Sequence, residues 1–294
     1  MVDHFQNKRG KVLLFDFKKP KSFEELTIKW KEDAKRISEE FNPHGIDVLL
    51  KGDKTFVYVV NHDPYESVER FSLDLKTKTL THLESITDSL FTNLNSVIAV
   101  DERSFFFTNF NKWKDNPTLA KLEIFLDLHF GNIGMYDGDT NKVTIVQDGL
   151  HIPNGLAIST DKKKLYLADI GNLALRTFDI HSPTNITRSH MLHIDTVVDN
   201  IQVEPSDGSL WLGCQPSAYD SFLYLDDPHN RIAGSHVLSV KIDKNGDPSG
   251  EVTELYRNKG TEISLTTVAM HYQKKLLIGS VYHVLLVCDI NTEY

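Results

Sequence analysis

The stretch Pro153-Asn154-Gly155-Leu156-Ala157-Ile158-Ser159-Thr160-Asp161 continues through Lys164-Leu165-Tyr166-Leu167-Ala168-Asp169 and predicts a loop followed by two short strands. The first strand is apolar at Leu156 and Ile158, and the second is apolar at Leu165 and Leu167. A polar turn over residues 161–164 separates them, and this pattern is typical of antiparallel pairing.

The same order of loop, strand, turn and strand recurs along the chain. Five such repeats begin near residues 44, 95, 154, 199 and 265. Their spacing is somewhat longer than the roughly 40–50 residues of a propeller blade, as insertions between strands would make it. About four strands per repeat predict an all-β β-propeller, organised as a single domain over residues 1–294. An extra strand at residues 12–17 fits a further blade. Unrelated hairpins in a β-sandwich are the alternative, which the shared order disfavours.

Composition and charge restrict the class of protein. Hydrophobic residues make up 40% of the 294 residues and charged residues 25%, as in ordinary globular domains. A net charge of −9 argues against nucleic-acid binding, which needs a clustered basic face. The longest apolar runs have the length of strands, and residues 1–11 lack the apolar core of a signal peptide. Read literally from Met1, the chain is expected in the cytoplasm.

Polar residues stand where the repeats begin. In a propeller these loops surround the central channel, so residues far apart in sequence are expected to meet there. Carboxylate and amide oxygens are ligands of hard cations such as Ca²⁺, whereas zinc and copper prefer His or Cys. A single Asn before a strand is usually a turn residue, but its recurrence favours a shared metal site. The residues are His44, Asn95, Asn154, Asp199 and Asn200.

Two histidines lie at the same end of one predicted blade. His44 precedes a strand, and His62 ends the strand Thr55–Val60 that follows it. Such a pair could serve as a general base and its orienting partner, or both could be surface residues. His283, at a strand end in the last repeat, could line the same opening. Neither a Gly-x-Ser-x-Gly sequence nor a glycine-rich phosphate loop occurs, so hydrolysis would use metal-assisted water attack.

Several runs together resemble the paraoxonase/arylesterase family, over nearly the whole chain from about Gly10 to Cys288. They are residues 41–46, 59–62, 93–95, 154–155, 198–201, 210–214 and 275–279. The resemblance implies a six-bladed propeller, its first blade incomplete here because the N-terminal strands are absent. It also implies calcium-dependent hydrolysis of aryl esters and lactones.

The resemblance also assigns residues. Catalytic calcium would be held by Asn95, Asn154, Asp199 and Asn200. His44 would accept the proton and His62 would be its partner. The backbone carbonyl of Ile46 would bind a second, structural calcium ion.

Other positions depart from the family pattern. An acidic pair that ligates both calcium ions would precede the start of this chain. Ser96 stands where the family has an aspartate of the structural site. Cys288 matches one half of a disulfide whose partner would lie in the missing segment, and a Cys214–Cys288 bridge is the alternative. Gln215 and Asn111 stand where relatives often carry histidine.

Family members are secreted or associated with membranes, often glycosylated, and Asn185-Ile186-Thr187 is a glycosylation sequon. The sequence therefore predicts an arylesterase or lactonase acting on small-molecule esters, with possible association with lipid or membrane surfaces. Two alternatives stay open: a catalytically impaired, truncated propeller, and a non-catalytic propeller that binds a protein partner.

Overall fold

The computed structural model describes residues 9–282 and 284–290. Their contacts form two compact units, one within Asp3–Ile152 and the other within Pro153–Tyr294. Strands dominate both units, and the predicted all-β propeller fold is confirmed, with five blades. The organisation of residues 1–294 as a single domain stays a prediction.

The first unit holds two blades and a small sheet. Its strands are β1 (Leu13–Phe15), β2 (Phe23–Glu25), β3 (Thr27–Lys29), β4 (Pro43–Lys51), β5 (Lys54–Asn61), β6 (Ser67–Asp74), β7 (Thr79–Ile86), β8 (Leu94–Ala99), β9 (Phe105–Asn109), β10 (Gly131–Asp137) and β11 (Lys142–Leu150). One blade has the order β3-β7-β6-β5-β4, with β3 parallel to β7, and the other has the order β11-β10-β9-β8. The predicted strand at 12–17 is the shorter β1, which pairs with β2 rather than with a blade.

The second unit holds three blades. Its strands are β12 (Pro153–Ile158), β13 (Lys164–Asp169), β14 (Ala174–Ser182), β15 (Asn185–His193), β16 (Val197–Val203), β17 (Leu210–Gln215), β18 (Ser235–Ile242), β19 (Pro248–Asn258), β20 (Thr266–Tyr272), β21 (Lys275–Ser280) and β22 (Leu286–Asp289). They form antiparallel sheets in the orders β12-β13-β14-β15, β16-β17-β18-β19 and β20-β21-β22. The five predicted repeats thus coincide with the five blades.

Helices are short. They are α1 (Lys35–Glu40), α2 (Pro117–Phe125) and α3 (Ala218–Asp226), with 3₁₀ turns at Glu32–Ala34 and Ile170–Asn172. Across the described ranges, no helix has the length and apolar character needed to span a membrane.

Neighbouring blades within each unit pack through apolar side chains on alternate positions of their strands. In the first unit, Tyr58 of β5 belongs to the same buried cluster as Phe105 and Phe107 of β9. In the second unit, Tyr166 of β13 belongs to a buried cluster with Leu212 of β17. Leu165 and Leu167, which point to the other face of β13 than Tyr166, are also fully buried. The second strand of the opening stretch is therefore buried on both faces.

The first strand of every blade carries an irregularity in the same place. The register shifts lie between Pro43 and Ile46, Leu94 and Val97, Pro153 and Leu156, Val198 and Ile201, and Thr266 and Val268. An extra residue at such a bulge leaves the regular ladder and redirects its side chain.

The bulges correct one expectation. The predicted metal and catalytic residues were expected in loops before the strands, but they lie inside the strands. The residues concerned are His44, Asn95, Ser96, Asn154, Asp199 and Asn200. Each of these residues lies between the two paired residues that flank a register shift, where strand pairing is interrupted. The flanking pairs hold the backbone, while the side chains do not follow the regular alternation between the two faces of the sheet.

Two glycines at the bulges allow first strands of adjacent blades to approach closely. A Cβ atom on Gly45 would lie 2.2 Å from the carbonyl oxygen of Asn95. A Cβ atom on Gly155 would lie 2.6 Å from the carbonyl oxygen of Asp199. Both separations are shorter than any side chain tolerates, so only glycine fits between these backbones.

The opening stretch is also tied to the next blade by polar contacts. The Nζ atom of Lys164 lies 2.7 Å from Asp179 Oδ1 in β14 and 2.9 Å from Asp247 Oδ1 in the turn before β19. Its side chain is only 12% exposed. The hydroxyl group of Tyr166 donates a 2.8 Å hydrogen bond to the carbonyl oxygen of Gly246 in the same turn.

We expect Lys164→Met to lower the free energy of unfolding by about 2 kcal/mol. This value lies between the small loss expected for an exposed ion pair and the larger loss expected when a buried ion pair is broken. The reason is that Asp247 would lose its cationic partner while staying mostly buried. Urea unfolding measures the change. Lys163→Met is the matched control, since the Lys163 side chain is 78% exposed, and it should change stability by less than about 0.5 kcal/mol. Equal effects of the two substitutions would contradict this account.

Candidate active site

His44 and His62 contact each other directly in the first unit. His44 lies at the bulge of β4, and His62 follows the last residue of the neighbouring strand β5. His44 Nδ1 is 2.8 Å from His62 Nε2, and the ring planes are inclined by 56°. The antiparallel pairing of β4 with β5 places Pro43 opposite Asn61, and this register brings the two imidazoles together.

A carboxylate and an ammonium group continue this contact. His62 Nδ1 lies 2.8 Å from Glu66 Oε1, and the other carboxylate oxygen accepts a 2.7 Å hydrogen bond from the backbone N–H of Leu94. Lys114 Nζ donates to the same Glu66 carboxylate and, at 2.8 Å, to the carbonyl oxygen of His62. The four side chains His44, His62, Glu66 and Lys114 form a connected network, which we call the histidine relay.

The relay shifts two pKa values. Desolvation by the surrounding protein lowers the pKa of His44 below its usual value, and the neighbouring His62 lowers it further. The His44 side chain nevertheless remains open to solvent. Desolvation raises the pKa of Glu66, but the hydrogen bonds from His62 and Lys114 outweigh it and leave that pKa below its usual range. At neutral pH the relay therefore presents a neutral, accessible imidazole backed by an ionised carboxylate.

Asp199 forms the centre of a second polar cluster, in the second unit. Asn200 Nδ2 donates a 3.0 Å hydrogen bond to Asp199 Oδ1, and Gln215 Nε2 donates a 3.0 Å bond to Oδ2. The side chain of Asn154 also bonds to this carboxylate. Asn200 and Gln215 donate in addition to the carbonyl oxygens of residues 267 and 266, at 3.0 and 2.7 Å. We call Asn154, Asp199, Asn200 and Gln215 the amide–carboxylate cluster.

The charge of Asp199 is poorly compensated. Desolvation raises the pKa of Asp199 to about 7, although the hydrogen bonds from Gln215 and Asn154 act in the opposite direction. Within residues 9–282 and 284–290, no Lys or Arg side chain forms an ion pair with it. A carboxylate that is largely withdrawn from solvent, as the half-buried Asp199 is, favours a nearby positive charge, and amide oxygens beside it are ligands that Ca²⁺ accepts. The cluster therefore fits a hard divalent cation.

The remaining predicted ligands lie in the first unit. Asn95 is buried at the bulge of β8, where its carbonyl oxygen faces Gly45. Ser96 is also buried, and its backbone N–H donates to Thr108 Oγ1 at 3.0 Å. Ile46 pairs with Val59 inside the β4–β5 ladder, and its side chain is exposed. The grouping of Asn95 with the amide–carboxylate cluster stays a prediction.

The structure also shows the surroundings of the predicted glycosylation and disulfide positions and of Asn111. Asn185 is the exposed first residue of β15, directly after the turn from β14. Cys214 is a buried free thiol and Cys288 a partly buried free thiol, so the structure contains no Cys214–Cys288 bridge. Asn111 is buried and accepts a 3.0 Å hydrogen bond from Asn93 Nδ2. His283 lies outside the described residues.

Comparisons with known proteins place the chain in a family. The family model described as Arylesterase matches residues 2–290. The chain belongs to the arylesterase family.

Curated relatives agree with this assignment. The chain is 38% identical over 287 residues to serum paraoxonase/arylesterase 1 of Mus musculus and 35% identical over 288 residues to serum paraoxonase/arylesterase 2 of Homo sapiens. Each match covers 97% of this chain and 78% of the relative. The prediction that the chain is an esterase or lactonase type of hydrolase is confirmed at the level of its family.

Solved structures support the fold alone. A Nidogen/Laminin complex chain matches with a TM-score of 0.54 and 13% identity, over 86% of this chain and 77% of that one. The periplasmic gluconolactonase of Pseudomonas aeruginosa matches with a TM-score of 0.51 and 10% identity, over 87% of this chain and 66% of that one.

Two residues of the histidine relay in this arylesterase-family chain carry no signal in the sequence that predicts them. Glu66 and Lys114 lie in irregular segments and belong to no repeated motif. The only local signal is the spacing of four residues between His62 and Glu66, which by itself is common. Their roles depend on the fold, since Lys114 is brought to Glu66 from a distant part of the chain.

Glu66→Gln should lower the free energy of unfolding at pH 7 by about 1–3 kcal/mol, because Lys114 loses a buried anionic partner. The pKa of Glu66 is lowered in the folded state, so its contribution is complete above about 4.5, the unfolded value, and is lost as the pH falls through the folded pKa. Urea unfolding from pH 7 to pH 3 should show the difference from wild type shrinking in acid.

The control for this prediction is the double variant Glu66→Gln/Lys114→Met. Its stability loss should be smaller than the sum of the two single losses, since the two side chains interact. The ion-pair account would be contradicted if the stability difference between wild type and Glu66→Gln did not depend on pH. It would also be contradicted if the stability losses of the two single variants added up to that of the double variant.

Proposed function

We propose that this chain is a calcium-dependent hydrolase of aryl esters and lactones in which His44 accepts a proton from the attacking water. The observation that carries the proposal is the histidine relay, which joins a solvent-accessible imidazole to a buried carboxylate. The family supplies the reaction class, and the names of the relatives supply the substrate class.

The relay determines which nitrogen of His44 can act as a base. A carboxylate oxygen only accepts, so His62 Nδ1 carries the hydrogen shared with Glu66. When both imidazoles are neutral, His62 Nε2 accepts from His44 Nδ1–H. His44 Nε2 then bears a lone pair that faces away from the pair and can take a proton from water.

The relay also stabilises the protonated product of this step. Once His44 gains a proton at Nε2, both of its nitrogens carry hydrogens and its charge must be compensated. His62 Nε2 accepts the hydrogen bond from His44 Nδ1, and the ionised Glu66 polarises His62 from the other side. Lys114 keeps Glu66 ionised and fixed in place. The role of Glu66 is thus to position and polarise, while His44 meets the substrate.

The amide–carboxylate cluster would hold the calcium ion. Asp199 would provide the negative charge. Asn154 and Asn200 would provide amide oxygens after their side chains reorient. Asn95 remains a further predicted ligand. A bound calcium ion supplies electrostatic stabilisation of the substrate oxygen on which negative charge develops. Gln215 would keep the Asp199 carboxylate oriented through Nε2, since its hydrogen bond to the carbonyl oxygen of Thr266 fixes the amide.

A second, structural calcium ion fits less well. Of its predicted ligands, Ser96 offers a hydroxyl group where a carboxylate is expected, and Ile46 offers only a backbone carbonyl inside a strand. Among the described residues these two positions supply no carboxylate, so the proposal includes one calcium ion only.

Cellular context belongs to the same proposal. The relatives are named as serum enzymes, and the exposed position of Asn185 after a turn is suited to a glycan. We therefore propose a secreted glycoprotein with a six-bladed architecture that acts on small-molecule substrates and associates with lipid surfaces.

Substitution of the proposed base tests the reaction. We expect His44→Gln to lower the calcium-dependent kcat/KM for phenyl acetate and for an aliphatic lactone by about 10²–10⁴-fold, the usual contribution of a general base. Assays with calcium and with a chelator separate the metal-dependent rate. His181→Gln, at an exposed position in β14, is the matched control and should keep the wild-type rate. An unchanged rate in His44→Gln would remove His44 as the base.

Calcium titration tests the metal part independently. Asp199→Asn should weaken calcium binding, measured by calorimetry, by at least about tenfold, because the cluster loses its only carboxylate. Asp139→Asn, an exposed acidic residue in another blade, should leave calcium affinity unchanged. Calcium binding without any hydrolysis of either substrate would favour a non-catalytic propeller. The absence of calcium binding in wild type would remove the metal mechanism.

A further inference from the structure

Asp127, His129 and His151 form a cluster that shares no residue with the histidine relay or the amide–carboxylate cluster. Asp127 and His129 lie after helix α2, and His151 follows strand β11. Asp127 Oδ1 is 3.1 Å from His129 Nε2 and 2.7 Å from His151 Nδ1. One potential ligand atom from each residue lies within 4.8 Å of the other two. Three groups of metal-binding type therefore converge at one point.

The outer nitrogen of each imidazole determines the state of the inner one. His129 Nδ1 lies 3.3 Å from the carbonyl oxygen of Gly149, and His151 Nε2 lies 3.2 Å from the carbonyl oxygen of Ile124. A carbonyl oxygen only accepts, so each ring donates its outer N–H to the backbone. In the neutral ring, His151 Nδ1 then carries a lone pair, whereas His129 Nε2 lies 3.1 Å from Asp127 Oδ1 in hydrogen-bond geometry and releases its hydrogen when a metal binds. Metal-bound histidines are held in this way, by a hydrogen bond from the nitrogen that does not touch the metal.

The inner nitrogens of both rings lie close to the same carboxylate oxygen, Asp127 Oδ1. His151 is 8% exposed, and its Nδ1 forms no aligned hydrogen bond with any described residue although Asp127 Oδ1 is 2.7 Å away. The lone pair of His151 Nδ1 and the Asp127 carboxylate, 2.7 Å apart, repel one another unless a positive charge lies near them. A buried polar atom without a hydrogen bond is also unfavourable by itself. A cation bound by all three groups removes both costs.

We propose that Asp127, His129 and His151 bind a zinc ion. Two imidazole nitrogens and one carboxylate are ligands of Zn²⁺, whereas Ca²⁺ prefers oxygen alone. The Asp127 oxygen lies 2.7 and 3.1 Å from the two imidazole nitrogens, and all three atoms lie within 4.8 Å of one another. Tetrahedral zinc with bonds of about 2.0–2.2 Å places its ligand atoms about 3.3–3.5 Å apart, so each separation changes by at most about 1.5 Å on binding. The side chains of Asp127 and His129 are 72% and 46% exposed, which leaves the fourth position to water.

The site would connect the two segments that flank the β10–β11 hairpin. Zinc would tie the residues after α2 to the end of β11, where His129 already donates to Gly149. Because such a site requires the folded arrangement, zinc binding would stabilise the native chain. Its role is structural, and it is independent of the proposed hydrolytic mechanism.

Zinc titration of the full chain tests the proposal. The protein is freed of metal with a chelator, dialysed, saturated with calcium and titrated with zinc chloride by calorimetry. We expect one zinc ion per chain. Cobalt substitution should give the intense visible absorption of four-coordinate Co²⁺. Asp127→Asn and His129→Gln, both at exposed positions, should each weaken zinc binding by about tenfold or more while circular dichroism stays unchanged.

Two controls locate the ion. His181→Gln should keep wild-type zinc affinity, and so should Asp199→Asn, whose substitution affects the amide–carboxylate cluster. The proposal is overturned if wild type binds no zinc, or if Asp127→Asn and His129→Gln bind it as tightly as wild type. Loss of zinc binding in Asp199→Asn would also overturn it, since the ion would then occupy the calcium cluster. These outcomes are read without any activity assay, so failure of the proposed hydrolysis leaves them interpretable.

Discussion

The interruption of strand pairing at the start of each blade is the constraint on which the two candidate sites depend. A regular strand points alternate side chains to the two faces of its sheet, where neighbouring blades cover them with apolar groups. The bulges at residues 44, 95, 154 and 199 release polar side chains from that alternation while the flanking pairs hold the backbone. Glycine at two of these bulges lets adjacent first strands meet. A regular ladder there would turn the same residues into ordinary sheet positions.

Two partly buried carboxylates show how neighbouring groups determine charge. Desolvation acts on both Glu66 and Asp199 in the same direction and raises their pKa values. Glu66 has a lysine and a histidine beside it, and their hydrogen bonds reverse the effect. Asp199 has only amides beside it, which compensate less, so its pKa stays raised. Glu66 already has a positively charged partner within the protein, Lys114. Asp199 has none among its hydrogen-bond partners and is therefore suited to bind an added cation.

Sequence patterns predicted the blades and several residues of the two candidate sites. The repeats located the five first strands, and the contact between His44 and His62 was expected from their positions in one blade. The environment of Asp199 was expected only in part, since its link to Gln215 could not be foreseen. Glu66 and Lys114 were missed because their partnership joins segments without any periodic signal. The cluster of Asp127, His129 and His151 was missed for the same reason.

The sequence by itself determined the alternating apolar strands, the turns between them and the oxygen-bearing residues that recur at the start of each repeat. These features are local, because strand period and turn chemistry act over a few neighbouring residues. Only the tertiary structure decided that those residues lie in bulged strands instead of loops, and which of them touch. It also decided the charge state of each site, since desolvation and hydrogen bonding depend on groups that folding brings from distant parts of the chain.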